Sequence, residues 1–205
     1  MSFLNRLFKR FIEKQNIEGN VAFIGLGNAG KSCLLNRLQT NKFDTNVAIT
    51  LGLAVDSFEY KGVKFSAFDL GGQSSFQAIW EPYLRNALSV VYVIDGSTPE
   101  LFQESVQVFY ESLKYISTEA ILLITVNKSD LFNRSTLEEI KEVFMLQDLQ
   151  ISGRLKKVNY FGLSAKTGEN FDKAFEWLAK SVAKSVIEIN EKNNYEPIMV
   201  LSKNY

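Results

Sequence analysis

The chain has 205 residues, 46% apolar and 22% charged, enough for one domain with a full hydrophobic core. Its 23 basic and 23 acidic residues cancel, which removes any bulk electrostatic reason to bind nucleic acid. One cysteine and no histidine exclude a disulfide framework and a structural zinc site, and the longest apolar runs, 90–94 and 121–124, are far too short to span a bilayer.

Residues 1–16 read as an amphipathic helix. Phe3, Leu4, Leu7, Phe8, Phe11 and Ile12 fill one half of a helical wheel, and Asn5, Arg6, Lys9, Arg10, Glu13 and Lys14 fill the other. Four basic residues less one acidic leave a local charge of +3. Such a face gains ~1 kcal/mol per basic residue beside anionic lipid headgroups. The competing expectation is a helix docked on the protein's own core, and the two are compatible in different ligand states. The stretch lacks the apolar run of a signal peptide, so the expected location is the cytoplasm.

From residue 17 onward, strand and helix patterns alternate. Periodicity predicts strands over 21–24, 53–60, 63–68, 90–94, 120–126 and 159–163, with helices over 31–38, 76–86, 100–114, 137–146 and 171–189. The fold class is therefore α/β, a six-stranded, mostly parallel sheet with helices on both faces. Only Lys61-Gly62 separates the second and third strands. That length permits a hairpin and forbids a helical crossover, so one edge strand is antiparallel. The expected organisation is a helix at 1–16, a single body at 17–190 and a polar tail at 191–205. The tail's apolar run 198–201 reads equally as part of a loose end or as a strip laid on the body.

The first strand runs into Gly25-Leu26-Gly27-Asn28-Ala29-Gly30-Lys31-Ser32, which fits the spacing of a phosphate-binding loop. Four fixed positions arise by accident in roughly one chain of this length in a hundred. Backbone N–H groups from Gly25, Asn28, Ala29, Gly30, Lys31, Ser32 and Cys33 are candidates to cradle phosphates, Lys31 adds a point charge, and Ser32 offers a hydroxyl to Mg²⁺. Cys33 fits a small buried side chain better than a reactive thiol. The loop alone does not separate ATP from GTP, or a kinase from a switch.

Thr50 can offer its hydroxyl to Mg²⁺ and its amide to a γ-phosphate. In Asp69-Leu70-Gly71-Gly72-Gln73, Asp69 can hold the metal through a water, Gly72 can present its N–H to the γ-phosphate, and Gln73 can orient an attacking water. Both segments then touch a group that hydrolysis removes, which makes them a switch. Asn127-Lys128-Ser129-Asp130 follows an apolar strand, where α/β proteins bind ligands. Asp130 can accept from guanine N1–H and N2–H₂, donors that adenine lacks in that arrangement. Ser164-Ala165-Lys166 would close over the base, with the Ala165 N–H meeting O6. An ATP-dependent kinase would leave Asn127 to Asp130 without a task.

Together these residues resemble the Arf (ADP-ribosylation factor) small GTPases over residues 1–190. The most specific part is Phe68-Asp69-Leu70-Gly71-Gly72-Gln73 followed by Ile79-Trp80 and Tyr83-Leu84; Ile49-Thr50-Leu51-Gly52 and Glu59-Tyr60-Lys61-Gly62 are similar too. Gly27 stands where the family commonly has Asp, Phe68 where it has Trp and Leu53 where it has Phe, while Ser164-Ala165-Lys166 replaces Cys-Ala-Thr. The match is to a divergent member, and partner identities do not carry over.

The resemblance implies the small G domain of P-loop NTPases, GDP and GTP as bound nucleotides, and Mg²⁺. It also implies hydrolysis with Gln73, Lys31 and Thr50 as catalytic candidates. A monomer would work with an exchange factor, a GTPase-activating protein and effectors docking on Leu53, Phe68 and Tyr83. Family members couple the nucleotide to membrane contact, which here would be reversible and made in the GTP state. A hairpin slipping by two residues keeps its side chains on their faces, so the pair 53–68 can slide and release the helix at 1–16. Residue 2 is Ser and the end is Lys203-Asn204-Tyr205, so neither myristoylation nor prenylation is expected. Neither 40–53 nor 69–83 contains an arginine, so unaided hydrolysis is expected to be on the order of 10⁻³ s⁻¹ or below. Gly27 would leave room for a partner's side chain. The alternative is a slowly hydrolysing GTP-bound scaffold, or a receptor-subunit-like docking platform.

Overall fold

Alternate residues of β1 (Glu18–Ile24) point to opposite faces, and both faces are apolar: Val21 and Phe23 enter one buried layer, Ala22 and Ile24 the other. A strand buried on both sides belongs at the centre of a sheet. The computed structural model describes residues 17–195 apart from Thr45 and Asn133. Within them, β1 lies in the middle of the order β2-β3-β1-β4-β5-β6. The other strands are β2 (Leu53–Tyr60), β3 (Val63–Leu70), β4 (Ser89–Asp95), β5 (Ile121–Asn127) and β6 (Lys157–Gly162). Only β2 is antiparallel to its neighbour, in the register Leu53↔Leu70 to Tyr60↔Val63. Lys61 and Gly62 turn that hairpin with φ of 53° and 83°, the signature of a two-residue turn that matches strand twist.

One apolar layer is covered by α1 (Lys31–Thr40) and α7 (Phe171–Tyr195), through Leu34, Leu35, Phe175 and Leu178. The other is covered by α3 (Trp80–Asn86), α4 (Phe102–Leu113), α5 (Arg134–Val143) and α6 (Leu146–Ile151), through Trp80, Leu84, Phe109, Ile140 and Leu146. Tyr92, fully buried, donates its hydroxyl to the Ser105 carbonyl at 2.7 Å, so its polar atom is satisfied inside the second layer. Among the described residues no helix is long and apolar enough to cross a membrane.

Several element bounds differ from the sequence expectation. The helix expected over 76–86 is two pieces, α2 (Ser74–Gln77) and α3. A continuous helix would ask Pro82 for an N–H that it lacks, whereas a restart at Trp80 puts Pro82 in a first turn where none is needed. The helix expected at 100–114 opens as a 3₁₀ turn, Pro99–Leu101. The one expected at 137–146 becomes α5 and α6, divided by Met145 in a left-handed conformation. The last helix, expected to end at 189, continues to Tyr195. The predicted helix at 1–16, with its membrane residues Phe3 to Ile12, and the run 198–201 lie outside the described residues.

The carboxyl ends of β1, β3, β4, β5 and β6 share one edge of the sheet, and antiparallel β2 starts at that same edge. The phosphate loop, Thr50, Asp69 to Gln73, Asn127 to Asp130 and Ser164 to Lys166 therefore open on one side of the molecule, while the hairpin turn at Lys61-Gly62 lies at the opposite edge. The side that carries the motifs is where parallel sheets bind ligands.

Candidate functional site

The phosphate-loop candidates fold as a tight arch from β1 into α1. Gly25 has φ of 139°, and a Cβ there would lie 2.2 Å from the Val93 carbonyl oxygen. Gly30 has φ of 95°, and a Cβ would lie 2.3 Å from Asn127 Nδ2. Both positions require glycine, one against β4 and one against the loop after β5. Gly27 is different, since a Cβ there meets nothing within 4 Å.

Lys31 is buried beneath the arch and donates to the Leu26 carbonyl at 2.8 Å and the Gly25 carbonyl at 3.1 Å. Burial pushes its pKa down to about 8, against the opposing pull of Asp69. An ammonium so short of solvent is primed to accept an anion. Cys33 is half-buried and lines the same cavity, and burial raises its pKa, which keeps it a thiol.

Three oxygens converge beside Lys31. Ser32 Oγ donates to Asp69 Oδ2 at 2.5 Å, Thr50 Oγ1 donates to the same oxygen at 2.7 Å, and the two hydroxyls are 2.9 Å apart. They come from α1, the segment before β2 and the end of β3, which reaches Leu70 and so holds Asp69 in the sheet. Asp69 Oδ1 is buried and has no hydrogen-bond partner among the described residues. An orphaned carboxylate oxygen next to two hydroxyls is a hard-oxygen donor set, suited to a small divalent cation.

A cavity of about 360 Å³ opens above this cluster, lined by Asn28, Lys31, Ser32, Thr50, Gly72 and Gln73 among others. Gly72 packs so tightly under the arch that a Cβ would lie 2.4 Å from the Gly25 carbonyl oxygen. Gln73 sits exposed at the rim. Its segment is tied down by two bonds, Gly71 N–H to the Gly52 carbonyl at 2.7 Å and the Trp80 indole N–H to the Gly71 carbonyl at 3.1 Å.

The other half of the site hangs on Asn127. Its Nδ2 donates to the Ala29 carbonyl at 2.9 Å, and its Oδ1 accepts the Ala165 N–H at 3.0 Å. One amide thus joins the phosphate-loop arch to the loop after β6. The Ala165 N–H is engaged by Asn127, so a base oxygen would have to share it in a three-centre bond. Ser164 Oγ donates to Asp130 Oδ1 at 2.6 Å and receives the N–H groups of Lys166 and Thr167. Lys166 Nζ stands 3.9 Å from Asp130 Oδ2.

Sequence reading missed two partners in this arrangement, Asp95 and Arg37. Asp95, at the end of β4, accepts Lys128 Nζ at 2.6 Å. Burial alone would raise the Asp95 carboxyl, but its bonds from Lys128 and Ser97 outweigh that and hold it low. Its signal was available, an acidic residue closing an apolar strand. Arg37 gave no comparable signal, and Trp80, quoted in the family resemblance, was given no role there. On the outer surface, the Phe68 and Tyr83 rings lie 5.2 Å apart next to half-buried Leu53. Ile49 and Leu51 extend that apolar surface at 76% and 74% exposure.

Comparison with known proteins agrees with this geometry. Residues 4–182 match the sequence profile of the ADP-ribosylation factor family. The chain is 31% identical to ADP-ribosylation factor-like protein 1 of Drosophila melanogaster over 170 residues, 80% of this chain and 89% of that one. It is also 31% identical to ADP-ribosylation factor-like protein 2 of the same fly, over 93% of this chain and all of the relative. Among solved structures, the Arl6 BBS3 small GTPase from Trypanosoma brucei with bound nucleotide analogue GppNp superposes with a TM-score of 0.67 at 26% identity. That match covers 82% of this chain and 99% of the other.

Proposed function

Since the chain belongs to the ADP-ribosylation factor family of GTP-hydrolysing small GTPases, we propose that its GTP cycle drives reversible membrane attachment in trafficking or membrane organisation. The observation that carries the switch is the meeting of Ser32, Thr50 and Asp69 beneath the cavity. Only a filled site makes use of the orphaned Asp69 oxygen.

In this reading Ser32, Thr50 and Asp69 would hold Mg²⁺. When bound, the ion supplies charge neutralisation across the outer phosphates. Lys31 and the N–H groups of Asn28 to Cys33 neutralise the transferring phosphoryl group, and Gly72 gives its N–H to the γ-phosphate. Gln73, free at the rim, aligns the attacking water. Asp130 reads the guanine edge, Lys128 flanks the base, and Ser164, Ala165 and Lys166 close over it. No arginine stands in residues 40–53 or 69–83, so hydrolysis is slow until a partner reaches across Gly27, where the backbone leaves space.

Loss of the γ-phosphate frees Thr50 and Gly72, and with them the apolar surface around Leu53, Phe68 and Tyr83 where effectors dock. Hairpin β2–β3 lies directly between these contacts and residue 17, because Lys64 N–H donates to the Ile17 carbonyl at 3.0 Å. Movement of that hairpin therefore pulls on the segment leading to residues 1–16. Flotation with anionic liposomes tests the coupling. The chain loaded with a non-hydrolysable GTP analogue is expected to float, the GDP form to stay down, and a variant without residues 1–16 to stay down in both states. Flotation of the truncated chain, or equal flotation in both nucleotide states, would sink the proposal.

A further inference from the structure

Asn127 joins the two halves of the site on one side, and a second connection closes the other. Arg37 lies in α1, six residues after Lys31, and its Nη1 donates to the Ala165 carbonyl at 2.8 Å and the Lys166 carbonyl at 3.2 Å. The guanidinium lies 5.3 Å from the centre of the Phe171 ring. At Gly168 a Cβ would be 2.4 Å from Arg37 Nη2, and φ there is 85°, so the loop shapes itself around the cation. The guanidinium therefore has carbonyl oxygens ahead of it, an aromatic ring on one face and a bare glycine beside it. A lysine could not fill that slot with the same fork of donors.

We infer that Arg37 is a positioning residue for base recognition, clamping the 164–168 loop to the helix that carries the phosphate loop. The inference rests on the base-reading role proposed for Ala165 and Asp130. In that role the loop would meet the base edge at two points, through the Ala165 N–H, which also bonds Asn127 Oδ1, and through Asp130, which the Ser164 hydroxyl holds. Two charge-assisted bonds fix the peptide units just beyond Ala165 to α1. With the clamp removed, both contacts to the base loosen together while Lys31, Ser32 and the arch stay in place. Loss of Arg37 thus acts on nucleotide release and base preference, and leaves the phosphate contacts alone.

Two measurements test this, the rate of GDP release and the affinity ratio of GDP to 2-aminopurine riboside diphosphate, which lacks the O6 oxo group and with it the N1–H donor, and so loses a contact to each of Ala165 and Asp130. Arg37→Ala is expected to release GDP about tenfold faster and to lower the ratio by a similar factor, with Arg37→Lys falling between it and the parent. Gly168→Ala, which places a methyl against the guanidinium, is expected to act in the same direction, and covers the case in which Arg37→Ala does not fold. Release within twofold of the parent for both Arg37→Ala and Gly168→Ala overturns the inference. Faster release with an unchanged ratio also overturns it, since a purely structural loosening would affect both nucleotides alike. A parent chain with no preference between the two nucleotides overturns the base-reading role itself, and this inference with it.

Discussion

At the end proposed to read the base, Asn127, Asp130, Ser164, Ala165 and Arg37 are linked by side-chain bonds anchored in β5, the β6 loop and α1. At the end proposed to sense the γ-phosphate, the segments carrying Thr50 and Gln73 are held by Thr50 on Asp69, Gly71 on Gly52 and Trp80 on Gly71. The first set spans three elements and closes on itself. The second rests on single bonds between the two segments that extend from the open end of the β2–β3 hairpin, and it leaves Ile49 and Leu51 in solvent. A nucleotide switch needs this inequality. The end that identifies the ligand must persist through the cycle, and the end that senses the third phosphate must let go when a few contacts are lost.

The strongest attack on the rigid end is Asp130→Asn. A neutral amide forfeits charge-assisted bonds worth about 1.5–3 kcal/mol each, so GTP is expected to lose about 10³-fold against xanthosine triphosphate in competition binding. Equal weakening of both nucleotides would mean that Asp130 holds the loop without reading the base. At the mobile end, Gln73→Leu is expected to keep GTP affinity within a few-fold and to slow single-turnover phosphate release by about 10²-fold. Unchanged release would remove Gln73 from the water-positioning role.

The smallest effect concerns Lys31, which lies under the arch of Gly25 and Leu26, between the two ends. Without nucleotide its buried ammonium opposes folding below pH 8. The folded state therefore gains stability as pH rises from about 8 towards the ordinary 10.5. Bound phosphate favours the charged form and reverses the sign, so affinity is expected to fall by about tenfold for each pH unit at most above about 8, with proton uptake on binding. Calorimetry in buffers of differing ionisation enthalpy reads that uptake. Its absence would place Lys31 already charged in the empty site.

The features legible in the sequence share one property, that their residue types stand at fixed local spacing. Gly25 to Ser32, Asp69 to Gln73 and Asn127 to Asp130 are each recognisable from order alone after an apolar strand, although distant partners complete their geometry. The antiparallel edge followed from the two residues of its turn. What stayed hidden depends on partners far apart in the chain. Arg37 meets Ala165 128 residues later, and Lys128 meets Asp95 only because β4 and β5 align Asp95 with Asn127. The division at Met145 carries neither Gly nor Pro to announce it, and the last helix outruns its apolar pattern to Tyr195. Leu53, Phe68 and Tyr83 were placed as a surface, while the more exposed Ile49 and Leu51 beside them were not.

The contact at Gly72 has a consequence for inheritance. With the Gly25 carbonyl oxygen only 2.4 Å from where a methyl would stand, and Leu26 backbone atoms 2.5 Å away, no single-nucleotide change in that codon yields a side chain that fits. The obstructing atoms are main chain, so no replacement elsewhere along the arch makes room by shrinking a neighbour. Position 72 can vary only if two loops, from different strands, are rebuilt together. Lineages carrying this arch are therefore expected to keep glycine there long after the surfaces around it have drifted.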